Sequence, residues 1–145
     1  MTIPVASARP HTDAVVAAIA AIPMLVDRAK QPTGSGWQGT PGSSTYKRYA
    51  VVYPSGGVPD GNEAEPLEYL DYQAQINVFG ATETQAEDAA DAVRAALIGR
   101  RLTVAGRSTY RVQTQPGQRQ AFRDDSVPVP VYMAVVEIMF RSQPT

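Results

Sequence analysis

The run Leu67–Leu102, LEYLDYQAQINVFGATETQAEDAADAVRAALIGRRL, encodes a long strand, a glycine turn, an amphipathic helix and the start of a further strand. In its first half Leu70, Tyr72, Ala74, Ile76 and Val78 alternate with Tyr69, Asp71, Gln73, Gln75 and Asn77. A period of two puts one set on an apolar face and the other on a polar face. Gly80 frees the backbone for a turn. Either Thr82 with Gln85 or Thr84 with Glu87 supplies a side-chain oxygen and a reciprocal acceptor for the unpaired N–H groups of a helix start. Ala86, Ala89, Ala90, Val93 and Leu97 then recur at helical spacing as one apolar stripe. Gly99 stands where a left-handed residue ends a helix, and Arg94, Arg100 and Arg101 lie at the negative end of its dipole.

On the N-terminal side, Pro10 or Thr12 opens a helix whose stripe is Val15, Ala18, Ile19 and Ile22, and Pro23 ends or kinks it. Met24–Val26 fits either a brief strand or a last turn. Lys30–Thr45, nearly all Gly, Pro, Ser, Thr and Gln around Trp37, reads as a long loop, flexible in the isolated subunit. Tyr46–Tyr53 is rich in aromatic and β-branched residues and reads as a strand. On the C-terminal side Leu102–Val104 turns at Ala105-Gly106 into Thr109–Thr114. Val131–Arg141 is apolar on both faces, as befits a central strand, and Ser142–Thr145 is a short polar tail. Two helices and four to five strands with a single helical crossover imply an α+β fold. Its sheet is mainly antiparallel or mixed, with both helices packed on it. One domain spans 1–145, with long flexible loops at about 27–45, 54–66 and 116–130.

A chain of 145 residues buries roughly two-thirds of its unfolded surface. The absence of cysteine excludes disulfides, thiolate metal sites and a cysteine nucleophile. Met1–Pro10 has no basic-then-apolar leader, and Ala14–Val26 is too short to span a bilayer, so a soluble cytoplasmic product is expected. The net charge of −1 conceals a segregation. Asp60 to Asp91 holds nine acidic residues and no Lys or Arg; Arg94 to Arg123 holds seven arginines and no acid. Such blocks serve as solvated faces, or as the two halves of a head-to-tail contact between copies.

No catalytic, cofactor-binding or metal-binding constellation stands out. Gly34, Gly36 and Gly39 match G-x-G-x-x-G, but Thr40-Pro41-Gly42 follows where a phosphate-binding helix must begin. The single histidine, His11, is expected to cap or lie on the surface at the first helix start. Asp124-Asp125 beside Arg123 suits a turn or an intersubunit salt bridge better than a metal. Glu137 lacks the partner acid and lysine of a metal nuclease, and no serine sits in a nucleophile elbow. A small nucleic-acid module using Tyr46, Lys47, Arg48 and Tyr49 with Arg100, Arg101, Arg107 and Arg111 is opposed by the acidic overall balance.

The run QINVFGATETQAEDAADAVRAALIG lies between a helix–loop–strand and an RLTV hairpin with a long closing strand. In this it resembles the tail terminator proteins of long-tailed, non-contractile phages, over about His11 to Arg141. Gly80, Gln85, Ala86, Ala89, Ala90, Val93 and Leu97 carry the likeness. The resemblance implies a non-enzymatic virion protein without cofactors, assembled in the host cytoplasm and placed at the head-proximal end of the tail. Six copies, monomeric before assembly, would form a ring that caps the tail tube, stops its polymerisation and joins the neck or head-closure protein; the alternative is another head–tail neck protein, a head-closure or tail-completion factor. The implied partners are thus further copies, the tube protein and the neck protein, with no membrane and no specific nucleic acid. Glu87, Asp88, Asp91, Arg100, Arg101, Arg107, Arg119 and Arg123 are then candidate subunit contacts. Trp37, Asp60, Phe122, Asp124 and Asp125 mark candidate tube- or neck-contacting loops.

Overall fold

A computed structural model describes residues 4–115 and 121–145. In chain order these form α1 (Arg9–Ala20), β1 (Leu25–Arg28), β2 (Gly36–Trp37), β3 (Tyr46–Lys47), β4 (Tyr49–Pro54) and β5 (Val58–Asp60). There follow β6 (Tyr69–Gly80), α2 (Glu83–Leu97), β7 (Arg107–Thr109), β8 (Gln113–Thr114), β9 (Phe122–Asp124) and β10 (Val131–Pro144).

The alternation in β6 is realised residue by residue: half-buried and buried positions succeed each other along its whole length. It pairs antiparallel with β10, from Gly80 opposite Tyr132 to Leu70 opposite Ser142. On its other edge β4 runs antiparallel, Tyr49 facing Phe79, and β1 is parallel to β4, Leu25 facing Tyr49. The main strand order β1-β4-β6-β10-β7 curls into a half-barrel. The α+β fold with a largely antiparallel sheet and two helices is therefore as expected. Both helices cover one face, where Ala50, Val52, Tyr72, Ile76, Val78, Val136, Ile138 and Phe140 meet Val15 and Ile19 of α1 and the Ala/Val/Leu stripe of α2. Each fully buried Ile or Val on this face contributes about 1.5–3 kcal/mol.

The turn between β6 and α2 is a capping motif. Thr82 Oγ1 accepts from the Gln85 N–H at 3.1 Å, while Gln85 Oε1 accepts from the Ala81 N–H at 2.7 Å. Gln85 Nε2 also donates to the Tyr46 carbonyl at 3.0 Å and so ties the strand pair β2–β3 to the helix. Gly80 is needed for close approach, not for conformational freedom: a Cβ there would stand 2.6 Å from the Ala86 nitrogen. Gly99 is the reverse case, with φ of 78° and open space around it.

Of the two alternatives for Met24–Val26 the strand is realised, as the start of β1 at Leu25. Elsewhere the structure departs from expectation. Tyr46–Tyr53 is broken at Arg48 into β3 and β4, and β3 pairs with β2 inside the segment read as a loop. Leu102–Val104 is no strand; Val104 makes a single bridge to Arg107. The other two long connections contribute β5, beside β6, and β9, beside β10. The polar tail continues β10, with Ser142 fully buried. His11 is also fully buried, not capping or exposed, because α1 lays its first turn against Tyr72 and Phe140.

Two glycine variants separate the two roles. Gly80→Ala should lower stability by about 1–3 kcal/mol through overpacking, and Gly99→Ala by about 1–2 kcal/mol through left-handed strain. Chemical denaturation measures both. Relief of the Gly80→Ala defect by truncating Gln85, whose Cβ lies 2.9 Å from the built atom, is not expected, since the nearer clash is with backbone.

Candidate assembly surfaces

Because the stripe of α2 faces the sheet, its acids face outward. Glu83, Glu87 and Asp91, one helical turn apart, rim a cleft of about 530 Å³ floored by Ala90 and Ala134. Arg94 closes one end and pairs with Asp91 at 3.3 Å. Among the described residues Glu83, Glu87 and Asp88 form no ion pair. Like charges four residues apart cost a helix about 0.2–0.5 kcal/mol per pair, and of these acids only Asp91 is paired among the described residues.

The arginine-rich block divides into three. Backbone bonds between Gly99, Arg100 and Val112 bring Arg100, Arg101 and Arg111 together beyond the end of α2, all three exposed. Arg100 donates to the Ala95 carbonyl at 3.3 Å and Arg111 to the Gly99 carbonyl at 2.7 Å, complementing the helix C-terminus. Arg107 instead turns inward, its Nε donating to Ser142 Oγ at 2.7 Å and its Nη2 to the Glu68 and Ser142 carbonyls. Arg123 pairs with Asp125 at 2.6 Å in its own loop. Arg119 lies outside the described residues. Glu83 lies about 21 Å along α2 from its last residue, Leu97, so the acidic and arginine groups mark opposite ends of the helix, with the Asp91–Arg94 pair between them.

The candidate loop residues are mostly tied down. Asp60 bonds Arg141 Nη2 at 2.8 Å, and Arg141 forks onto Asp71 at 2.7 and 2.9 Å while lying over the Tyr69 ring. The guanidinium holds the Asp71 carboxyl below its ordinary pKa. Asp124 Oδ1 accepts from the Ser126 N–H and hydroxyl, closing a turn. Phe122 is exposed, whereas Trp37 packs edge-on against Tyr46 at 5.0 Å. No group of three or more His, Cys, Asp or Glu suited to a metal occurs among the described residues. No helix among them is long and apolar enough to cross a membrane.

The chain matches the family model for tail completion protein gp17 over residues 7–141. It belongs to that family. No curated protein matches it. This gp17-family chain is accordingly a structural protein of a phage tail, in keeping with a terminator-type protein, and its partners are other tail or neck proteins.

One feature of this tail protein has no signal in the sequence. His11 Nδ1 lies 2.9 Å from the Ser7 carbonyl and so carries the proton, leaving Nε2 to accept from the Ser142 hydroxyl at 2.7 Å. Ser142 Oγ in turn accepts from Arg107. The ring stacks on Tyr72 and meets Phe140 at a tilt, the three rings forming one cluster, and Thr12 Oγ1 bonds the Tyr72 hydroxyl at 2.6 Å. Burial first, and the Arg107 charge less, hold the His11 pKa below its ordinary 6.5, partly opposed by the Ser7 bond. The unfolded chain therefore takes up the proton first. This stabilisation is complete above pH 6.5 and is lost as pH falls below it through the folded-state pKa. Melting curves should show stability declining from pH 7 towards 5, and His11→Phe should flatten that decline while costing about 1–3 kcal/mol at pH 7 for the polar groups it strands. An unchanged slope in the variant would place the pH dependence elsewhere. The Asp71–Arg141 pair gives way separately, only as pH falls below the ordinary carboxylate pKa of 3.8.

Proposed function

We propose that this protein is a tail terminator: copies associate head to tail into a ring, most simply of six, that caps the tail tube and stops its growth. The other face of the ring then receives the neck or head-closure protein. The observation that carries this reading is the separation of two complementary surfaces on one unit: an acidic face on α2, where Glu83, Glu87 and Asp88 form no ion pair among the described residues, and the Arg100–Arg101–Arg111 cluster beyond its end. A closed ring needs two different patches per copy, each presented to a different neighbour. Glu87, Asp88 and Asp91 would form one side of the contact, and Arg100 and Arg101 the other. Arg107 and Arg123, already bonded within the subunit, would contribute through the shape they hold.

The family description, tail completion protein, supports a second reading, in which the chain is a neck protein that completes the tail. It uses the same surfaces but meets a portal-side protein instead of a tube end. Electron microscopy of the purified protein, alone and with tail tubes, separates the two, since a terminator decorates tube ends and arrests their extension. Monomers that never cap tubes would sink the terminator reading.

For the contact itself, Arg100→Glu with Arg101→Glu should weaken self-association at least tenfold by sedimentation velocity. The stability of the isolated subunit should fall by no more than about 2 kcal/mol, at about 0.3–1 kcal/mol for each charge at a helix end. Glu87→Arg with Asp91→Arg in a second copy should restore mixed assembly with that variant. A steep salt-dependent affinity for DNA, lost in the same arginine variant, would instead assign the cluster to nucleic acid.

A further inference from the structure

The first turn of α1 is held by few interactions of its own. Ala8 stands at its N-cap and offers no side chain to the unpaired N–H groups, and the turn contains no acid. Two side chains fasten it to the strands. Thr12 bonds the Tyr72 hydroxyl, and the fully buried His11 bonds Ser142. The rest of the helix is secured differently, by Val15 and Ile19, which are buried in the main core one and two turns further on.

The bonds around His11 run in one direction. Arg107 Nε donates to Ser142 Oγ, and the Ser142 hydroxyl donates to His11 Nε2, while His11 Nδ1–H is already engaged by the Ser7 carbonyl. A second proton on the ring turns Nε2 from acceptor into donor. Ser142 Oγ then faces two cationic donors, and its own hydrogen loses its acceptor. Nothing nearby offsets that charge. Among the described residues Arg107 of β7 is the one charge that acts on the ring. β6 brings Tyr72 and β10 brings Phe140, while Asp71 and Arg141 are bonded to each other. The buried faces of α2 and β4 are apolar, and Arg28 of β1 is paired with Asp13. The ring also sits at the positive end of the helix dipole, with Arg9 in the same turn. Burial, the guanidinium and the dipole all oppose the same proton, and all are relieved once the turn leaves the strands.

We propose that His11 is an acid-released latch: protonation of its ring undocks the first turn of α1 from β6 and β10 while the β6–β10 ladder stays paired. The opening is local, because Val15 and Ile19 keep the remainder of the helix in place. The latch belongs to the single subunit and does not rest on the assembly reading above.

His11 is the only histidine of the chain, so its ring signals in NMR are unambiguous. In the full-length protein at pH 8, nitrogen-15 shifts should show Nδ1 protonated and Nε2 bare. Once the ring is protonated, its through-space contacts to Tyr72 and Phe140 should vanish, whereas the cross-strand contact of Ile76 with Val136 persists. The His11 and Thr12 amides, both bonded to the Ala8 carbonyl, should lose about tenfold in hydrogen-exchange protection between pH 7 and 5, after correction for intrinsic rate. In His11→Phe the protection of the Thr12 amide should be the same at both pH values. Arg107→Gln should raise the midpoint of the His11 titration and lessen the loss of protection, since one of the two cations on Ser142 Oγ is gone. Three results would overturn the proposal: a ring whose Nε2 carries the proton at pH 8, a protonated ring that keeps its contacts to Tyr72 and Phe140, or loss of those contacts only together with that of Ile76 to Val136.

Discussion

The antiparallel ladder between β6 and β10 is the constraint on which everything else hangs. Its register sets which side chains face the helices along both strands at once, and a slip by one residue would turn Tyr72, Ile76, Val136 and Ile138 to the opposite face. The same register puts Arg141 across from Asp71, so the ladder carries its own charged lock. It also carries Ser142 into the interior, where it meets His11 from α1 and Arg107 from β7. One pairing thus fixes the sheet, docks the first helix and withdraws one arginine from the surface.

With the apolar stripe of α2 committed to that sheet, its remaining faces have only solvent or partners to meet. Acids line the outward face, and arginines gather where the chain leaves the helix. The small side chains of the stripe let α2 lie close to the strands, and Gly80 permits the same closeness at the turn. The helix is thereby a stiff bar with a different charge at each end, seated on a rigid plate. Surfaces so placed keep their spacing when a partner arrives, which spares association the cost of ordering them.

What the sequence makes legible is whatever repeats locally. The alternation of β6, the stripe of α2, the Thr82–Gln85 cap and the left-handed Gly99 all reappear in the structure, since strand and helix periods are written in consecutive residues. The pieces that escape it, β2, β5 and β9, are two or three residues long and exist because a neighbouring strand offers a partner edge, and the strand read over Thr109–Thr114 survives only as the short β7 and β8 at its two ends. His11 escapes for a related reason: its partner Ser142 lies 131 residues away, so nothing near it marks it as buried. The charge blocks were visible as composition. Which arginines are spent internally depends on side-chain reach and required coordinates.

The outer edge of β10 is covered in three short pieces: β9 opposite Val131–Met133, β8 opposite Ile138–Met139, and β7 opposite Ser142–Pro144. Most of the backbone groups that would template another strand are thus already engaged, and the opposite edge of the main sheet, β1, is only four residues long. Growth by stacking sheet upon sheet is thereby discouraged on both sides. Contacts with other molecules are left to side chains. A tail component edged in this way offers its neighbours shape and charge in place of open backbone.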